Sequence, residues 1–91
     1  MYKITNYSKQ QAKKLGVQIK PSTLKNKKID VFKGDQKIAS IGALGFGDYP
    51  TYIKEFGREY ADDRRRLYKL RHEKYRHIKD TPSFYADKIL W

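Results

Sequence analysis

Lys28-Ile29-Asp30-Val31-Phe32-Lys33 and Lys37-Ile38-Ala39-Ser40-Ile41-Gly42, parted by Gly34-Asp35-Gln36, form the stretch whose reading decides the fold. Both runs carry β-branched residues and alternate apolar with polar, the pattern of strands that bury one face. A glycine in a three-residue connection supplies the backbone freedom of a tight hairpin turn. Ile29 and Val31 are expected to face the core from one strand, and Ile38 or Ile41 from the other. Two or three strands alone are marginal in water, so helices must cover one face of the sheet. The expected class is α+β: a small antiparallel sheet, a β-hairpin plus one strand, packed against two or three helices.

Working outward, Tyr7 to Gly16 reads as a short helix with Ser8 as its N-cap and Gly16 as the left-handed residue that ends it. Val17-Gln18-Ile19-Lys20 alternates as the third strand, ended by Pro21-Ser22, and Pro21 to Lys28 reads as an exposed loop. Beyond the hairpin, Gly42 to Gly47 is a flexible connection. Asp48 can cap a short helix with Pro50 in its first turn, stopping at Gly57. The longest helical pattern spans residues 59–79. On its wheel Leu70, Leu67, Tyr60, Ile78, Tyr75, Tyr68 and Ala61 share one half, while Arg65, Lys69, His72 and Arg76 lie opposite, with Arg66 at their margin. Pro82 is expected to terminate this helix. The segment Ser83 to Trp91 is too apolar for a free tail, so Phe84, Ile89 and Trp91 should dock. Ninety-one residues support one core, hence a single domain over 1–91.

Charge is the most informative compositional feature: 21 Lys and Arg oppose 10 Asp and Glu, for a net +11. Residues 1–33 hold nine cations and one anion, residues 34–63 three and six, and residues 64–91 nine and three. Two positive blocks of this kind repel themselves unless an anionic partner neutralises them. There is no cysteine, which excludes disulfides, thiolate metal ligands and thiol nucleophiles. His72 and His77 are five apart and diverge on a helix, so they cannot clamp one metal ion. No signal-like run and no apolar stretch of about 18 residues is present, which leads to the expectation of a soluble, intracellular chain that is not secreted and has no membrane partner.

The cations suggest where a polyanion would sit. Arg65, Lys69, His72 and Arg76 repeat about one helical turn apart, a spacing suited to phosphates. The plainer alternative is a solvated face stitched by Asp62 to Arg66 and by Glu73 to Lys69 or His77. Lys9, Lys13, Lys14, Lys20, Lys25, Lys27 and Lys28 suit backbone contact rather than base readout, lysine lacking the bidentate fork of arginine. Arg64 and Arg71 project onto the apolar side of the long helix. There they need a partner: either Asp30, Asp48, Asp87 or the Trp91 carboxylate in a structural pair, or a bound anion in a pocket. Among eight tyrosines and four phenylalanines, Phe46 and Tyr49, in or beside the glycine loop, are the candidates for stacking on bases. The loop itself is neither a dinucleotide fingerprint nor a P-loop. No nucleophile, base and orienter assemble, and no cofactor is implied. Asp48, Glu55, Asp62 and Asp63 match no metal-binding spacing, so the expectation is a non-enzymatic protein, with a metal-dependent nuclease as a remote alternative.

The blocks Lys-Lys-Ile-Asp-Val-Phe (27–32), Ala-Ser-Ile-Gly-Ala (39–43), Asp-Tyr-Pro-Thr-Tyr (48–52), Tyr-Ala-Asp-Asp-Arg-Arg-Arg-Leu-Tyr-Lys-Leu-Arg-His (60–72) and Tyr-Ala-Asp-Lys-Ile-Leu-Trp (85–91) resemble, over nearly the whole chain, a family of short basic proteins of large double-stranded DNA viruses and phages. The resemblance brings no functional residues. It implies a viral setting, in the infected cell or the virion, where small basic proteins accompany the genome or serve as virion components. The sequence departs from that pattern at Asp80-Thr81-Pro82-Ser83, which lacks a glycine often found there. The expected function is nucleic-acid binding of low sequence specificity, DNA more than RNA. The rival is a structural virion component or a contact with an acidic protein.

Overall fold

The computed structural model describes residues 2–91, and the chain is α+β. The elements run α1 (Asn6–Leu15), β1 (Gln18–Pro21), β2 (Lys27–Lys33), β3 (Gln36–Ala43), α2 (Tyr49–Phe56), α3 (Arg58–His72) and α4 (Pro82–Ile89). The three strands form an antiparallel meander in the order β1-β2-β3.

The hairpin forms where its sequence pattern places it, with a shorter turn. Lys33 pairs with Gln36, so the connection is Gly34-Asp35 alone, and Gly34 takes φ 63°. The register shifts beyond Val31–Ala39 to Phe32–Lys37, which leaves Ile38 as an extra residue in a bulge. Ile29, Val31, Ala39 and Ile41 therefore reach the core together, and Ile38 packs against its edge. Pro21 closes the edge strand β1 rather than following it: it pairs with Ile29 on a strand whose outer side needs no donor.

Ala12 and Val17 from the α1 region and Tyr85, Ile89 and Leu90 from the C-terminus complete the core. Thr5, not Ser8, caps α1: its Oγ1 accepts from the Ser8 N–H at 3.2 Å. Ser8 is fully buried and its hydroxyl donates to the Ile89 carbonyl at 2.9 Å, tying α1 to α4. Gly16 ends α1 with φ 74°, as its position suggested. Asp48 caps α2 through the Thr51 N–H at 3.1 Å, and Gly57 ends that helix.

The long helix departs most from expectation. It ends at His72, not near residue 79. Tyr75 N–H and Arg76 N–H both donate to the His72 carbonyl, at 3.0 and 2.9 Å, and Ile78 N–H donates to Tyr75, so the backbone tightens into turns. Asp80 then takes the left-handed conformation, φ 67°, in the segment where the sequence lacks a glycine. Pro82 stops nothing; it opens α4, capped by Thr81 accepting from Phe84 N–H at 3.2 Å. Reversal here lets α4 lay Tyr85 and Ile89 into the core, a gain in apolar burial that continued helix would forgo.

Candidate nucleic-acid interface

The helix α3 is rotated relative to the wheel expectation. Ala61 and Tyr68 are buried, whereas Leu70, Tyr60 and, beyond the helix, Tyr75 and Ile78 are exposed, Leu70 by 64%. The stripe read as outward-facing turns toward the body. Arg65 lies 3.4 Å over the Tyr49 ring and donates to the Tyr7 hydroxyl at 3.2 Å. Lys69 Nζ donates at 2.7 Å to Oδ1 of Asp87, whose carboxylate is fully buried, and Arg76 Nη1 approaches Asp87 Oδ2 to 3.6 Å. His72 stacks on Tyr68 with ring centroids 4.2 Å apart. Arg66 alone of the five points outward, paired with Asp63 at 2.9 Å; Asp62 instead accepts from the Tyr49 hydroxyl at 2.7 Å. Glu73 holds Arg76 and His77 at 2.7 and 3.0 Å, and hydrogen bonds from both keep its carboxyl below the usual range.

Lys28 also departs from the expectation. Its neighbours in sequence suggest a surface lysine, yet it is buried and donates to Asp48 Oδ2 at 3.0 Å. Burial opposes ionisation of Asp48, but hydrogen bonds from Thr51 and Tyr2 and the Lys28 ammonium outweigh it and hold the carboxyl below its ordinary value. The Tyr2 hydroxyl, buried beside that carboxylate, is pushed well up. Asp30 is likewise buried; hydrogen bonds from Ser22 and Ser40, at 2.6 and 2.7 Å, overcome burial and lower its pKa. Lys9, Lys13 and Lys14 on α1, and Lys25 and Lys27 beyond β1, are exposed as expected, and Lys20 sits 5.2 Å over the Phe32 ring.

Arg64 and Arg71 have no internal carboxylate. Among the described residues no carboxylate, that of Trp91 included, lies within 4.0 Å of either, and Asp30, Asp48 and Asp87 pair with Lys37, with Lys28 and with Lys69 and Arg76. The expected structural pairing is therefore absent. Both arginines line one cleft of about 340 Å³ between β3, α3 and the α4 segment, together with Lys27, His72 and Phe46. Its aromatic wall is a column in which Tyr68 stacks against Trp91 at 4.4 Å and 9°, with Tyr52 against Trp91 at 6.0 Å. Arg64 lies 5.7 Å over Tyr52. Gly47 makes room for the Tyr52 ring, since a Cβ there would fall 2.3 Å from it. No Asp or Glu lines the cleft. Burial, with Arg71 alongside, pushes the His72 imidazole below its usual value, Asp87 pulling weakly the other way; burial pushes the Tyr68 hydroxyl up to about 12.

Of the two stacking candidates, Phe46 is 74% exposed at the cleft, but Tyr49 is buried beneath Arg65 and cannot receive a base. Trp91, Tyr68 and Tyr52 were missed as cleft residues. Gly47 was the available signal for Tyr52, whereas nothing local marks the wall formed by Tyr68 and Trp91. Asp48, Glu55, Asp62 and Asp63 do not converge: among the described residues no group of three or more His, Asp or Glu side chains is placed to hold a metal ion. No helix among them is long and apolar enough to cross a membrane. Comparison with protein-family models, curated proteins and solved structures finds no match to this chain.

Proposed function

We propose that this chain is a small, non-enzymatic nucleic-acid-binding protein of low sequence specificity that contacts phosphates through unpaired surface cations. One observation carries the reading: six of the 21 Lys and Arg side chains have a carboxylate within 4.0 Å among the described residues, and the other fifteen have none. Charge of this size on a small surface is relieved by a polyanion, with counterion release as the driving force. The contact set consists of Lys9, Lys13 and Lys14 on α1, Lys25 and Lys27, and the Arg64-Arg71 cleft, without the inward-turned Arg65, Lys69 and Arg76. The resemblance to small basic proteins of DNA viruses favours DNA over RNA and a place beside the genome or in the virion.

A virion or acidic-protein contact is the second reading, favoured by the exposed Phe56-Tyr60 pair, whose rings sit 4.7 Å apart. Fluorescence anisotropy with single- and double-stranded DNA and RNA over a salt series decides between them. Nucleic-acid binding should weaken with salt, and changing Lys9, Lys13 and Lys14 to Gln should flatten the slope of log K against log salt by about 2–3 on duplex DNA. Absence of binding to all four probes at low salt would overturn the proposal.

A further inference from the structure

We infer that the cleft holds one unpaired nucleotide of a single strand, its flanking phosphates on Arg64 and Arg71 and its base against Phe46, so that single strands bind more tightly than duplex. This rests on the nucleic-acid reading and adds to it a site and a preferred form of the ligand.

Arg64 and Arg71 are seven residues apart on α3, which places them on one face with about 10.5 Å between their Cα atoms. Both side chains line the cleft, and neither has a carboxylate within 4.0 Å among the described residues. Each planar guanidinium can take a phosphate, and long arginine side chains on one helix face can converge on the two phosphates that flank one nucleoside. A cleft of about 340 Å³ is at the small end of ligand-binding sites, and its lining holds both arginines with the aromatic wall. Tyr68 already stacks on Trp91 and Tyr52 packs tilted against it, whereas Phe46 is 74% exposed and makes no aromatic pair among the described residues. A duplex keeps its bases stacked inside and can offer the cleft only phosphate. An unpaired nucleotide can offer phosphate and base together.

Trp91 is the single tryptophan and lines the cleft, so its emission serves as the local reporter of this site. The full chain is titrated with a short oligothymidylate and with a duplex of equal length, reading anisotropy of labelled probes and, separately, Trp91 emission with unlabelled ones. The oligothymidylate is expected to bind at least tenfold more tightly than duplex and to quench Trp91. Phe46→Ala should weaken single-strand binding about five- to hundredfold and leave duplex binding unchanged. Arg64→Gln with Arg71→Gln should abolish the quenching and reduce the single-strand salt slope by about 1.4. Circular dichroism of each variant checks that it folds. Equal affinity for both forms, with Trp91 silent and the cleft variants unaffected, would overturn the cleft assignment and leave the lysine-based reading standing. No binding in anisotropy would overturn that reading and the cleft with it.

Discussion

Lys69 and Asp87 are joined at 2.7 Å, α3 to α4, across a carboxylate that is fully buried. Arg76 Nη1 at 3.6 Å and Lys88 Nζ at 3.8 Å approach its other oxygen, which has no hydrogen bond of its own. Asp87 thus gathers cations that a helical wheel assigns to solvent. The pairing turns this side of α3 toward the body, while Arg64 and Arg71 line the cleft.

Changing Arg65, Lys69 and Arg76 together to Gln should destabilise the fold by about 2–4 kcal/mol, below the full penalty for stranding a buried charge because Lys69 is 30% exposed. Were these residues phosphate contacts, the same change would leave stability alone and flatten the salt dependence of binding. Urea denaturation of the free protein separates the outcomes.

Lys28→Met leaves the fully buried Asp48 carboxylate without its cation and should cost about 3–5 kcal/mol. Adding Asp48→Asn should recover part of that loss, since an amide oxygen can still accept from Thr51 N–H while the stranded charge is gone. A double mutant no more stable than Lys28→Met would show that the loss came from packing rather than charge.

Trp91→Ala removes the ring stacked at 4.4 Å on Tyr68 and should cost about 2–3 kcal/mol, lowering Tm by roughly 10–20 °C for a domain of this size. A Tm within a degree or so of the parent, measured by circular dichroism, would mean the stack contributes no stability.

His72 gives a pH test with opposite signs for folding and binding. Its folded pKa is depressed by burial and by Arg71, with Asp87 opposing, so the unfolded chain takes up the proton more readily. Its stabilising contribution is complete above its ordinary value of 6.5 and is lost as pH falls through the depressed folded value. Between about pH 7 and 5 the free protein should therefore lose more stability than His72→Phe, which keeps the stack on Tyr68. A phosphate in the cleft favours the imidazolium, so oligothymidylate affinity should rise over the same interval in the parent but not in the variant. Parallel melting curves of parent and variant across that range would refute the coupling.

The hairpin and the caps at Asp48 and Gly16 follow from the sequence because each rests on local chemistry: period-2 alternation, a side chain that satisfies its own helix terminus, a glycine where φ is positive; the docking of the C-terminal segment follows from its apolar composition. The net +11 is likewise a property of composition. Only the tertiary structure decided which face of α3 is buried, where that helix ends, and that Lys28 is an interior residue. A helix rich in both aromatics and long cations has no unambiguous apolar face, because arginine and lysine can lay their stems or charges on rings such as Tyr49 and meet a buried carboxylate such as Asp87. Asp87 comes from a segment the helix meets only after the chain reverses at Asp80, and a periodicity read along α3 carries no information about it. The cleft is decided the same way: Arg64 and Arg71 stand out in the sequence, but Asp48 and Asp87, expected as their partners, are engaged by Lys28 and Lys69, 20 and 18 residues away along the chain.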